Sequence, residues 1–149
     1  MIKYGIMKPK DGSFVVLFKN DKRDEVFLIY RSDSPIWNLP GGGIETGETP
    51  KEAAYRETEE ETGFEIKITN KLGKYKNIDV KTGGIWNTTY LFEGRVLSGE
   101  FIPEFEGCKG KWFKTSKLPK EIKEITRVRV SDALIFSGKQ FDKEFKPQK

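Results

Sequence analysis

Residues 42–64 read GGIETGETPKEAAYRETEEETGF, and the reading of this stretch decides the fold. Thr49 is a good N-cap, Pro50 suits the first helical position, and Glu52 three residues after the cap completes a capping box. Ala53 and Ala54 favour helix. Gly63 supplies a left-handed stop. The segment therefore predicts a helix over 50–62. On a helical wheel with Glu57 at zero, Glu61 falls at about +40° and Glu60 at about −60°, so three carboxylates share one face. Glu59 falls on the opposite side. Arg56 lies within reach of Glu60 or Glu52, and also of Glu48 just before the helix. Like charges on one face repel unless something positive sits there. Oxygen-only ligands select hard cations, Mg²⁺ or Mn²⁺ first. Ala53 and Ala54 flank this face one turn earlier, small enough to let the helix lie close to the glycines at 41–43. A solvated acidic surface helix is the plainer alternative.

Working outward, residues 14–18 (FVVLF) and 25–30 (EVFLIY) are short apolar runs of β-formers. The polar NDKRD between them predicts a hairpin. Residues 36–39 (IWNL) lead into Pro40 and Gly41, Gly42 and Gly43, a loop by composition. Residues 64–69 (FEIKIT) alternate as a half-buried strand should. Further strands are expected at 74–80, 85–97 and 111–114. Residues 121–137 space apolar side chains at helical intervals and predict a second helix. The tail from about 143 is expected to be mobile.

The chain has 149 residues, which suits a single domain over 1–149. Its 36% hydrophobic and 34% charged residues describe a soluble globular protein and exclude collagen-like and disulfide-rich classes. No membrane association is expected, since the longest uncharged stretch, 82–92, is far too short to span a bilayer. Cys108, the single cysteine, and an N-terminus without an apolar signal region fit a cytoplasmic chain. There is no histidine. Ser-His-Asp and Cys-His nucleophiles and His-ligated metals are thereby excluded. Residues 45–61 hold seven glutamates and two cations, a net of −5 inside a chain of net +4, so the remainder carries +9. An acidic knot in a basic body suits a divalent metal meeting a polyanion.

The stretch 42–64 resembles the Nudix box: Gly, five residues, Glu, seven residues, then Arg-Glu-aliphatic-x-Glu-Glu-x-Gly-aliphatic. Gly42, Glu48, Arg56, Glu57, Glu60, Glu61 and Gly63 fill its seven fixed positions. A chance match at one site is on the order of 10⁻⁹. Thr58 departs from the preferred aliphatic residue but keeps a branched shape. Residues 37–42 (WNLPGG) look like the family's lead-in. The resemblance implies an α/β (α+β) Nudix fold, a mixed β-sheet between α-helices. It also implies a small MutT-like hydrolase that splits diphosphate bonds by attack of water on phosphorus, with Mg²⁺ as cofactor and Mn²⁺ as substitute. Glu57, Glu60 and Glu61 match the family's metal ligands, and the carbonyl of Gly41 a further one. Glu48 and Arg56 match the pair that holds the loop on the helix. The family's small nucleotide-sanitising members place another carboxylate shortly before a Gly-x-x-Gly-x-Trp turn, and residues 106–112 (EGCKGKW) look like that turn. Glu106 is thus expected as a metal ligand or general base, with Glu104 its competitor and Glu61 a second candidate for the base.

For the substrate, a nucleotide, Trp37 and Tyr90 are the expected stacking partners, and Arg31 after the 27–30 strand the expected phosphate contact. Trp86, Trp112 and Phe113 are also available, and any of these aromatics serves equally as core. Markers of the diadenosine-polyphosphate and ADP-ribose subfamilies are absent from 79–82. Two other readings stay open: a Nudix-fold sensor that binds a nucleotide or ADP-ribose without turnover, and a hydrolase of RNA 5′-triphosphate ends. No basic stripe points to duplex nucleic acid. A homodimer is compatible with the sequence.

Overall fold

The computed structural model describes residues 9–148; the N-terminal signal reading rests largely on residues outside that range. Eight strands and two helices follow in the order β1 (Gly12–Leu17), β2 (Glu25–Arg31), β3 (Ser34–Asn38), β4 (Gly41–Gly43), α1 (Pro50–Thr62), β5 (Glu65–Ile78), β6 (Ile85–Ser98), β7 (Lys109–Lys114), α2 (Glu124–Leu134) and β8 (Phe141–Phe145). They form a mixed five-stranded sheet, β4-β1-β6-β5-β8, and an antiparallel three-stranded sheet, β3-β2-β7.

Strands β1 and β2 are buried on both faces, which is why each reads as an unbroken apolar run rather than an alternation. Val15 and Leu17 join Phe27 and Ile29 in a core with Ala54 of α1 and Phe64. Val16 and Phe18 join Val26 and Leu28 in a second core with Val130 and Ala133 of α2. The expected hairpin forms only at its root, where Phe18 bridges Val26. Beyond it the strands part. Strand β1 takes β4 and β6 as its two neighbours, and β2 takes β3 and β7, so neither keeps a free edge for the other.

Helix α1 spans the expected residues. Thr49 and Glu52 make the reciprocal capping box, and Gly63 ends the helix at φ 77°. Three other expectations are corrected. Residues Gly41–Gly43 form strand β4 on β1 rather than a loop. The second helix begins three residues late. Trp37 donates to the carbonyl of Glu121 and accepts from the N–H of Lys123, which ties that segment to β3 as a strand-like bridge. The tail carries a strand through Phe145: β8 pairs with β5, and Phe141 and Phe145 pack on the α2-side core. The strands expected at 64–69 and 74–80 are parts of one long strand, β5, which runs from 65 to 78 and whose register shifts absorb the link between them. Among the described residues no helix is long and apolar enough to cross a membrane.

Candidate active site

A cavity of about 560 Å³ opens where α1, β4 and β3 meet the ends of β2 and the segment before β7. Glu45, Glu57, Glu60, Glu61 and Glu104 line it, with Arg31, Arg56, Lys123, Gly41 and Gly42. Glu59 is exposed on the far side of α1, as the wheel requires. Ala53 and Ala54 are fully buried and seat the helix against β1 and β4.

Glu61 is only 8% exposed. Its Oε1 accepts the Gly41 N–H at 2.8 Å, and its Oε2 accepts from Arg31 Nη1 at 3.3 Å. Burial pushes its pKa up to about 8 against the help of the Gly41 N–H, and the charge of Glu57 adds to the rise. Burial likewise raises Glu57, with Arg56 opposing. Gly42 lies flush against that side chain: a Cβ placed there would stand 2.5 Å from the Glu57 carboxyl.

Arg56 clamps the site from its open side. Its Nε and Nη2 grip Glu48 at 2.5 and 2.9 Å, and Nη2 also donates to the Gly43 carbonyl at 3.0 Å. Nη1 reaches Glu60 at 3.3 Å and Glu57 at 3.4 Å. The guanidinium, helped by the Glu45 N–H, brings the Glu48 pKa down to about 2. One side chain thus ties the helix, the loop before it and β4 together. Arg31 does the same across the cavity. Asp33 holds it through two bonds of 3.1 Å, Nη1 reaches Glu104 at 2.9 Å, and the Phe105 ring lies 4.8 Å from the guanidinium carbon.

Among the described residues no three acidic side chains converge tightly enough to form a ready metal cage. The acids pair with Arg31 and Arg56 instead. The donor set nevertheless fits a hard divalent cation. Every anionic side chain that lines the cavity is a carboxylate, three of them on α1, beside a backbone that carries no side chain at Gly41 and Gly42.

Three expected site residues lie elsewhere. Glu106 is exposed, and only its carbonyl is engaged, by Ser32 Oγ at 3.0 Å. In the bend and turn over 104–107, Glu104 lines the cavity and Phe105 lies over Arg31, whereas Glu106 does not line it, so Glu104 takes the wall position. Trp37 sits between Ile36 and Asn38, which face the cavity. Strand alternation puts its ring on the other face, 5.4 Å from Tyr30 and 4.8 Å from Phe113. Tyr90, on β6, packs on the α1-side core and lines a different hollow beside Lys71 and Phe141. Arg31, Gly41, Glu48, Arg56, Glu57, Glu60 and Glu61 do come together. Phe14, Asn38 and Lys123 line the cavity without having been foreseen. The period of β3 held the clue for Asn38; Lys123 had none.

Comparison with known proteins accords with this geometry. A family model described as the NUDIX domain matches residues 8–148. A protein named as a putative 8-oxo-dGTP diphosphatase of Bacillus subtilis (strain 168) is 32% identical over 109 residues, 72% of this chain and 68% of that one. A MutT-like protein of Streptomyces ambofaciens is 31% identical over 123 residues, 83% of this chain and 75% of its own. The crystal structure of a NUDIX hydrolase from Nitrosomonas europaea superposes with a TM-score of 0.76 at 20% identity, over 96% of this chain and 82% of that one, which shows the shared fold. With the family pattern running nearly end to end and its glutamates gathered on one cavity wall, the chain belongs to the Nudix family and is a hydrolase.

Proposed function

We propose that the protein hydrolyses a diphosphate bond in a nucleoside triphosphate or a related nucleoside-diphosphate derivative, with Mg²⁺ as the working metal and Mn²⁺ as a substitute. The observation that carries this reading is the gathering of Glu57, Glu60, Glu61 and Glu104 around one cavity beside the side-chain-free wall of β4. Glu57, Glu60, Glu61 and the Gly41 carbonyl would hold the metal. Bound there, it would neutralise charge on the diphosphate and lower the pKa of the attacking water. Glu104 replaces Glu106 as the outer carboxylate. It stands on a separate segment from α1 and is reached from solvent, which suits it to take the proton from that water. Arg31 exchanges its contacts with Glu61 and Glu104 for a substrate phosphate. Arg56 and Glu48 keep α1 and β4 in register while this happens. The similarity to a protein named as a putative 8-oxo-dGTP diphosphatase supports a nucleotide substrate.

A panel of nucleotides with Mg²⁺ and identified products tests the reading. Glu60→Gln and Glu61→Gln should each abolish turnover while the thermal midpoint stays within a few degrees. Release of neither phosphate nor pyrophosphate from any nucleotide would refute the proposal. So would full activity in both variants.

A further inference from the structure

Behind the acidic cavity lies a second hollow of about 380 Å³. Phe14, Asn38 and Lys123 line both, so the two adjoin across these three side chains. Their chemistry is opposite. Five glutamates line the first, whereas no carboxylate among the described residues lines the second.

The second hollow is walled by Arg129 of α2, which is 3% exposed. Its guanidinium carbon stands 4.1 Å from the centre of the Phe14 ring. Nη2 donates to Thr89 Oγ1 at 2.8 Å, and the buried Nε has no hydrogen-bond partner. Asp132, one turn further along α2, is engaged elsewhere: it accepts from the Tyr75 hydroxyl at 2.8 Å and from Lys143 Nζ at 2.9 Å. Burial without a paired anion pulls the Arg129 pKa down to about 10. An ionised guanidinium left short of acceptors in a dry wall is strongly unfavourable. Arg129 lines the hollow, so an oxygen acceptor that a ligand brought against its guanidinium would offset part of that deficit.

The other walls suit a flat ring. Phe14 and Trp86 supply aromatic faces. Asn77 spends its Nδ2 on Asn87 Oδ1 at 2.8 Å, which leaves its Oδ1 to accept a ring N–H. Arg129 carries only donors. It can bond a ring carbonyl and cannot accept from an exocyclic amine.

We propose that this hollow receives the nucleobase of the substrate and that Arg129 reads the carbonyl at purine C6 or pyrimidine C4, so that the enzyme prefers bases with an oxo group there (6-oxopurines, uracil or thymine) to bases with an amine there (adenine, cytosine). The assignment rests on the nucleotide-hydrolase reading for its place in the substrate, while its test does not depend on turnover. Inosine and adenosine differ in the group that Arg129 would meet. Each is titrated into the metal-free protein and followed on the Trp86 indole N–H by NMR. Inosine should bind about tenfold more tightly, the ratio expected for one hydrogen bond to a charged donor. Arg129→Met should bring the two within about threefold, chiefly by weakening inosine. Arg129→Lys, which keeps a buried donor, guards against a methionine variant that does not fold, and should retain part of the preference. Ribose 5-phosphate, the anionic alternative for the same guanidinium, should bind the wild type and the variants alike. Equal affinity of inosine and adenosine for the wild type would overturn the proposal. So would a preference untouched by both variants, or a loss that falls on ribose 5-phosphate and spares inosine. A protein that prefers inosine yet hydrolyses no nucleotide would refute the hydrolase reading and leave this one standing.

Discussion

Adding one methyl group to Gly42 and then to Gly41 should separate the chemistry of this site from its folding. At Gly42 an added Cβ would stand 2.5 Å from the Glu57 carboxyl carbon and from Oε2, and 2.8 Å from Oε1. All three atoms are the far end of a flexible side chain, and Gly42 has no positive φ. Glu57 can swing aside, so the fold should lose about 1 kcal/mol, near the lower limit for overpacking. That corresponds to a fall of roughly 3 °C in thermal midpoint for a chain of this size. The displacement costs far more in rate, because a catalytic group moved by about 1 Å can lose on the order of 100-fold. At Gly41 the obstacle is backbone. A Cβ would stand 2.3 Å from the Ser13 carbonyl oxygen and 2.7 Å from Phe14 Cα, at a φ of +154°. Strands β1 and β4 would have to separate, at an expected cost above about 3 kcal/mol and a midpoint fall near 10 °C. The assays are thermal melts and Mg²⁺-dependent nucleotide turnover on both variants. Gly42→Ala with wild-type kcat would refute the claim that β4 must lie against Glu57. Equal melting losses in the two variants would refute the distinction between side-chain and backbone obstruction.

Three other perturbations bear on the same architecture. Arg56→Lys should lower kcat by about tenfold to 100-fold while costing at most about 1 kcal/mol of stability, since an ammonium cannot hold Glu48 and the Gly43 carbonyl together and the pair is partly exposed; unchanged kcat would remove its positioning role. Glu93 is fully buried and accepts from Arg23, Arg95 and Asn70. Burial alone would raise its pKa, but these bonds outweigh burial and hold it below the ordinary value of 4.5. Its contribution is therefore complete above that value and is lost as pH falls through the lower folded value. Glu93→Gln should cost about 3 kcal/mol at pH 7, and its melting gap from wild type should narrow on acidification below 4.5; a gap that widens in acid would reverse the sign of the argument. Deleting residues 141–149 should lower the melting midpoint by roughly 6 °C or more, because β8 pairs along β5 and Phe141 packs 5.3 Å from Tyr75; no change would show a dispensable tail.

What could be read from the chain alone was whatever local chemistry decides. Thr49, Pro50, Glu52 and Gly63 bound α1 within the helix itself, so its limits and its acidic face were legible. Partnership was not. The runs at 14–18 and 25–30 state that they are strands, but nothing in them says that each needs two other neighbours. The glycines of β4 read as a loop because their absent side chains serve close approach rather than a turn. Outside regular elements the phase of side chains is not periodic, so nothing in the pattern favoured Glu104 over Glu106, which was expected from its place before the turn. Within β3 it is periodic, and the alternation that turns Asn38 inward also turns Trp37 away. The apolar pattern over 121–137 found α2 but not the character of its buried face. The buried residues of α2 include Thr126, Arg129 and Asp132, while Leu134 and Ile135 are exposed. A helix face that buries polar groups against other parts of the protein has no apolar period to detect.

On the proposed reading, the charges around the cavity define what a metal would have to supply. Glu45, Glu57, Glu60, Glu61 and Glu104 meet Arg31, Arg56 and Lys123, a formal deficit of two positive charges. A bare diphosphate approaching that wall adds like charge at short range, in surroundings where water screens poorly. Arg31 and Arg56 cannot relieve it alone, because the same guanidiniums already hold Glu61 with Glu104 and Glu57 with Glu60. Compact divalent charge is what the wall lacks, and its carboxylates are the hard donors that would retain it. With that charge in place, Arg31 would keep its two bonds to Asp33, and the Nη1 that now reaches Glu61 and Glu104 would be free for the substrate. On that reading the acidic wall and the carboxylate-free hollow behind it would be complementary halves of one cleft, the first reaching the diphosphate through a cation and the second meeting the rest of the ligand directly.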